Sequence, residues 1–149
     1  MKVLFISLAG IGDTLLTLPA MRFLKESKPA CQVTCLTMLK GAHAAVAEWG
    51  CVDETIHFDF QKAGIVESLK FVWGLRKRKF DVSICTYPGN RLEYNAISWL
   101  IGANERIGHR YNHMAVRCGN WLHTRRVIED DKASNIEENL RLVSLIVDG

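Results

Sequence analysis

The sequence predicts an α/β domain built on a doubly wound parallel sheet, and three observations carry that expectation. Short apolar runs of β type alternate with amphipathic segments of helical period along the chain. The first run, Lys2–Leu8, is almost continuously apolar, as a parallel strand covered on both faces requires. A glycine-containing turn, Ala9–Asp13, follows it directly and leads into a helical stretch.

The elements follow in order. Thr14–Ser27 reads as one helix with Leu16, Ala20, Phe23 and Leu24 on its inner face, which Pro19 is expected to kink because a proline more than a turn inside removes a backbone bond. Gln32–Leu39 is a second strand, with Val33, Cys35, Thr37 and Leu39 on one side. A short helix over Ala42–Trp49 and a strand over Glu54–Phe58 come next. Gly64–Lys79 is helical with Ile65, Leu69, Val72 and Trp73 as its inner stripe, and Asp81–Thr86 is another buried strand. Tyr87-Pro88-Gly89-Asn90 has the chemistry of a turn, Leu92–Ile101 is apolar on one helical face and closed by Gly102, and Glu105–His109 is a fifth strand. The stretch 110–132 carries no clear period. Ser134 and Glu137 form the pattern of a capping box for a last helix with inner positions Ile136, Leu140, Val143 and Val147. No repeat, linker or change of composition divides the chain, so residues 1–149 are expected to form one domain.

Composition narrows the class. With 149 residues, 48% apolar and 23% charged, the chain is neither disordered nor of low complexity, and no apolar run approaches the ~20 residues that cross a bilayer. Five cysteines, an odd number in an ordinary composition, argue against a disulfide framework and for a reducing, cytoplasmic location. The net charge of +3 conceals an uneven distribution: residues 76–126 hold ten basic and three acidic side chains, whereas residues 127–149 hold two and six. The middle third is therefore the candidate surface for an anionic partner.

In a sheet of this type, ligands bind beyond the carboxyl ends of the strands. Gly10-Ile11-Gly12-Asp13 has the opening of a dinucleotide fingerprint but lacks the third glycine, and a carboxylate at the helix start would repel a pyrophosphate from the amides that hold it. Two readings of Asp13 stand side by side. It is a favoured N-cap residue, stabilising by ~1 kcal/mol; or it is a general base that takes a proton from a bound hydroxyl, with the positive end of the helix beside it. Gly89, Asn90 and Arg91 occupy the corresponding position after the fourth strand, where turn formation accounts for Gly89 and Asn90 but not for Arg91.

The segments VLFISLAGIGDTLLTLPAMRFLK, VDETIHFD, RKRKFDVSICTYPGNR, ANERIGHRY and NIEENLRLV, in that order, resemble the N-terminal half of glycosyltransferase family 9, the heptosyltransferase-like enzymes. The most specific block is strand, Gly-x-Gly-Asp, helix and Pro19. The resemblance implies a GT-B architecture, two Rossmann-like domains facing each other across a cleft, of which this chain is the acceptor side and the donor-binding domain is absent. It further implies an inverting, metal-independent transfer of a sugar from a nucleotide-sugar such as ADP-heptose to a lipopolysaccharide-type or other glycan acceptor, with Asp13 as catalytic base and no cofactor. The expected acceptor contacts are Gly10, Gly12, Thr14, Gly89, Asn90 and Arg91. A family member needs about twice this length, so the chain alone is expected to be inactive and to self-associate through its bare cleft face. The alternative is a non-catalytic sugar- or protein-binding module of the same fold.

Other features have plainer explanations. Arg76-Lys77-Arg78-Lys79 suits the solvated end of a helix; no nucleic-acid motif accompanies it, so a nucleic-acid partner is not expected, and peripheral contact with the inner face of a membrane is the stronger minority reading. Arg106, His109, Arg110, His113 and Arg117 read as exposed loop charge, with a phosphate or carboxylate contact as the alternative, and lack the company of a zinc motif. Cys31 and Cys35 read as buried thiols. Trp49, Trp73 and Trp99 are expected in the core or at an interface rather than as sugar-stacking platforms, and Trp121, in the stretch without a clear period, stays open.

Overall fold

A computed structural model describes residues 1–113 and 117–149. Six strands form one parallel sheet: β1 (Lys2–Ser7), β2 (Gln32–Thr37), β3 (Glu54–His57), β4 (Val82–Cys85), β5 (Glu105–Arg110) and β6 (Arg125–Ile128). Their spatial order is β3-β2-β1-β4-β5-β6, every neighbouring pair parallel, with Phe5 in register with Cys35 on one side and Ile84 on the other. The order reverses between β1 and β4, which makes the carboxyl ends of those two strands the topological switch point.

The alternation within β1 divides the core. Val3 and Phe5 face a cluster with Leu18, Met21 and Leu24 of α2 (Leu18–Ser27) and Leu142, Val143 and Ile146 of α6 (Asn135–Val147). Leu4 and Ile6 face the opposite cluster, with Val72 and Leu75 of α4 (Ile65–Lys77) and Ile97 and Ile101 of α5 (Leu92–Ile101). Both faces of the central strands are thus sealed, and each fully buried aliphatic side chain contributes roughly 1.5–3 kcal/mol. α3 (Lys40–Ala47) packs beside β2 and β3. Gly102, in the left-handed conformation at φ 69, ends α5 where a Cβ would strike the Arg76 guanidinium. Among the described residues no helix is long and apolar enough to cross a membrane.

Several local expectations are corrected. The stretch from Thr14 to Ser27 is not one kinked helix: α1 (Ile11–Leu15) and α2 are separated at Thr17, whose hydroxyl donates to the Thr14 carbonyl at 2.6 Å. Pro19 lies in the first turn of α2, where its missing N–H is not needed. The open stretch contains a short 3₁₀ turn at Asn120–Leu122 and the sixth strand; residues 114–116 within it lie outside the described residues. The inner stripe of α4 is Val72 and Leu75, while Ile65, Leu69 and Trp73 are exposed. Trp49, Trp99 and Trp121 are also roughly half-exposed or more, so none of the four tryptophans is a core residue. In α6 the buried positions are Glu138, Asn139, Leu142, Val143 and Ile146, and Ile136, Leu140 and Val147 are half-buried. Cys31 and Cys35 are buried thiols, and burial pushes the Cys35 thiol up to about 12.

Candidate functional site at the sheet switch point

The switch point gathers three pieces of chain: the turn after β1 with α1, the loop after β4, and the first turns of α6. The Gly10 backbone is extended and serves as the N-cap of α1, so Asp13 is the third residue of the helix rather than its cap, and no side chain caps this end. That removes the capping explanation for the carboxylate. Asp13 is half-buried; its Oδ1 accepts from Asn135 Nδ2 at 3.3 Å, and its Oδ2 lies 3.6 Å from where a Cβ on Gly10 would stand. The carboxylate leans back over the start of α1, the position from which it excludes an anion from the first amides.

Thr14 faces the sheet. It is fully buried, its hydroxyl donating to the Gly10 carbonyl at 3.0 Å and accepting from Ser7 Oγ at 2.9 Å. Those bonds hold the turn and leave the Thr14 hydroxyl turned away from the crevice. Gly12 is exposed, and a Cβ added to it would meet nothing within 4 Å; Gly10 is exposed beside it.

The loop after β4 is braced from three directions. The Gly89 N–H donates to the Tyr111 hydroxyl at 2.6 Å, and its carbonyl accepts from Asn95 Nδ2 at 3.2 Å. A Cβ there would sit 2.8 Å from the Thr86 carbonyl oxygen, so only glycine fits. The Tyr87 N–H donates to Asn139 Oδ1 of α6 at 2.8 Å, and the Tyr87–Pro88 peptide is cis. Gly89 is therefore a buried structural element, whereas Asn90 and Arg91 are exposed. Arg91 caps α5 by its backbone, and its side chain joins Leu8, Met38, Phe60 and Tyr94 around a hollow of about 190 Å³ beyond the ends of β1 and β2. Tyr94 donates to the Leu8 carbonyl at 3.1 Å and fixes that wall. Asp13 does not line this hollow: Asp13 is held by Asn135, and Arg91 lines the hollow.

Behind the loop lies a buried polar layer. His109 of β5 and Glu138 on the sheet side of α6 are in direct contact and fully enclosed, with Arg141 donating to the second Glu138 oxygen at 2.6 Å. Burial, reinforced by Arg141, lowers His109 to about 4. His109 is thus no exposed loop residue; His113, Arg110 and Arg117 are exposed, and Arg106 is half-buried in β5. Tyr87 donates to Glu129 at 2.8 Å, and burial together with that carboxylate pushes the phenol up to about 12. His123 is buried with Nε2 at 2.7 Å from Asn95 Oδ1, and burial with Arg106 and Arg126 lowers it to about 4. Among the described residues no group of three or more His, Cys, Asp or Glu is arranged to hold a metal ion.

Sequence reasoning passed over Asn135 and Asn139. The signal was present: amides at the first position and on the buried stripe of a capped helix, where an apolar residue is expected, mark side chains with backbone or catalytic groups to hold.

No protein-family model and no curated protein matches the sequence. Solved structures match it closely in shape. Escherichia coli heptosyltransferase WaaC with ADP-2-deoxy-2-fluoro heptose superposes at a TM-score of 0.80 with 16% identity, over 97% of this chain and 48% of that one. E. coli ADP-heptose LPS heptosyltransferase II gives 0.78 with 20% identity, over 96% and 40%. A glycosyltransferase family 9 structure from Veillonella parvula gives 0.81 with 15% identity, over 97% and 41%. The chain spans about half the length of the structures it matches, and its six-stranded parallel sheet with helices on both faces is the Rossmann-like fold of one half of a GT-B heptosyltransferase.

Proposed function

We propose that this chain is the acceptor-binding, N-terminal half of an inverting, metal-independent glycosyltransferase of heptosyltransferase type. The observation that carries the proposal is Asp13: a half-buried carboxylate at the switch point that caps no helix, is held at one oxygen by Asn135, and presents the other. The fold shared with heptosyltransferase structures, one of them bound to an ADP-heptose analogue, supports the choice of reaction.

In that reaction an acceptor hydroxyl oxygen attacks the anomeric carbon of a nucleotide-sugar such as ADP-heptose. The new C–O bond forms as the bond to the diphosphate oxygen breaks, the electron pair leaves with the nucleoside diphosphate, and the hydroxyl proton passes to Asp13 Oδ2. A positioned base of this kind contributes ~10²–10⁴-fold. Asn135 fixes the plane of the carboxylate so that its second oxygen meets the acceptor. The open side of Asp13 is where a facing donor domain completes the enclosure, and positioning across that closed cleft supplies the larger share of the rate. Asn90 and Arg91 are the exposed polar groups for a glycan or glycolipid acceptor, with Arg91 suited to an acidic sugar or a phosphate.

The test is reconstitution. The 149 residues are expected to give no turnover alone and to give transfer when combined with a separately produced donor-binding half. Turnover by the chain alone, or a complete enzyme that keeps its rate in the Asp13→Asn variant, overturns the proposal.

A further inference from the structure

The last helix spends a buried position on an amide. Asn139 is 2% exposed on α6, between its first turn and the core residues Leu142 and Val143. Asparagine is a poor helix former, and its side chain gives up its bonds to water on burial, so the position is tolerable only if both ends of the amide are met. Both are: Oδ1 accepts from the Tyr87 N–H at 2.8 Å, and Nδ2 donates to the Asn135 carbonyl at 2.9 Å. The two partners demand the same orientation, since a flipped amide would set donor against donor at Tyr87 and acceptor against acceptor at Asn135.

These two bonds reach both parts of the crevice. Asn135, one turn earlier on the same face of α6, holds Asp13 Oδ1 at 3.3 Å. Tyr87 opens the loop that carries Asn90 and Arg91, and within that loop the Gly89 N–H and carbonyl are fixed by Tyr111 and Asn95. α6 does not depend on Asn139 for its seat: Leu142, Val143 and Ile146 lie in the core, and Ser134 with Glu137 closes the first turn. Loss of the amide therefore loosens the loop and the Asn135 turn against a helix that stays in place.

We propose that Asn139 is a positioning residue that holds the loop after β4 in register with the Asp13 carboxylate. The inference rests on the reading of Asp13 as base and of Asn90 and Arg91 as acceptor contacts. An acceptor gripped at Arg91 presents its hydroxyl to Asp13 only while the two pieces of chain keep their spacing, and misplacement on the ångström scale is costly in rate. Asn139 acts through the Tyr87 backbone on one side and the first turn of α6 on the other, not by touching the acceptor.

Nuclear magnetic resonance of the 149-residue chain tests the link without turnover. Asn139→Leu, close in volume, removes both bonds; the expected result is a folded chain in which the Gly89, Asn90 and Arg91 amides and the Asn135 side-chain NH2 signals all shift. Asn139→Asp restores the acceptor for Tyr87 but not the donor to Asn135. It should return the loop amides to their native positions and leave the Asn135 signals displaced. Unmoved loop amides in Asn139→Leu overturn the inference; so, should that variant not fold, does an Asn139→Asp chain that is unfolded or has displaced loop amides. In the enzyme reconstituted with a donor-binding half, Asn139→Leu should raise KM for the acceptor about tenfold, with KM for the nucleotide-sugar unchanged, and Asn139→Asp should recover most of the loss. A fall in melting temperature with both KM values native reduces Asn139 to a structural role and overturns the inference. The spectra test Asn139 alone, whereas a complete enzyme that keeps its rate in Asp13→Asn removes the reading beneath it, and the inference with it.

Discussion

Asn135 Nδ2 donates to Asp13 Oδ1 at 3.3 Å, joining the first turn of the last helix to the first turn of the opening helix across 122 positions of sequence. This single contact decides how the carboxylate is presented, since Asp13 holds no backbone amide of its own helix as a cap.

On the proposed reading, Asp13→Asn in a complete enzyme is expected to lower kcat by ~10²–10⁴ with little change in the melting temperature. The amide keeps the shape and the Asn135 contact but accepts no proton. Steady-state kinetics beside a thermal melt checks the split, and an early melt with normal turnover returns Asp13 to a structural role.

Asn135→Ala leaves the Asp13 carboxylate in place and frees its orientation. The expected outcome is about a tenfold fall in kcat at nearly constant KM for the nucleotide-sugar, with a stability loss of roughly 0.5–1.5 kcal/mol for the lost hydrogen bond. Equal proportional changes in kcat and stability would show that the residue only holds α6 in place.

The two buried histidines make stability depend on pH. His109 and His123 are each lowered to about 4 from an ordinary 6.5, so the unfolded chain binds protons that the native state refuses. Above pH 6.5 both states are neutral at these sites and the effect vanishes. As pH falls from 6.5 towards 4, each histidine removes up to about 1.4 kcal/mol per pH unit. Urea melts across that range should show the slope, and His123→Gln, which retains a donor to Asn95, should reduce it by about half.

Glu138 accepts from Arg141 and from the Asp130 N–H while fully buried against His109. Glu138→Ala abandons that layer and is expected to cost about 3–5 kcal/mol. Glu138→Gln, which retains an acceptor for the backbone amide, should cost distinctly less in the same urea titration.

Two glycines of the crevice should respond oppositely. Gly89→Ala drives a methyl group to 2.8 Å from the Thr86 carbonyl and is expected to destabilise by about 1–3 kcal/mol. Gly12→Ala meets nothing within 4 Å and lies inside α1, so it should be neutral or stabilise by up to about 1 kcal/mol. Paired thermal melts separate them.

The sheet was readable in the sequence because its central strands are buried on both faces and show it in runs such as Val3–Ile6, Val33–Leu36 and Val82–Cys85. The sixth strand was not, since Arg125-Arg126-Val127-Ile128 sits at the sheet edge with only Val127 buried. Apolar period misled where a helix's apolar stripe and its buried face part. α4 keeps an apolar stripe on its outer surface, and α6 spends two inner positions on Glu138 and Asn139 to hold β5 and the loop after β4. At the site, Asp13 stood out by its residue type beside Gly10 and Gly12. Its partner did not, because a contact spanning 122 positions leaves no local pattern.

The bond between the opening turn and the last helix also makes the crevice a late product of folding. A chain emerging from the ribosome carries its acidic group from the outset, yet that group points nowhere in particular until the closing helix docks. The carboxylate thereby takes its direction only once α6 has packed on α2 and β5.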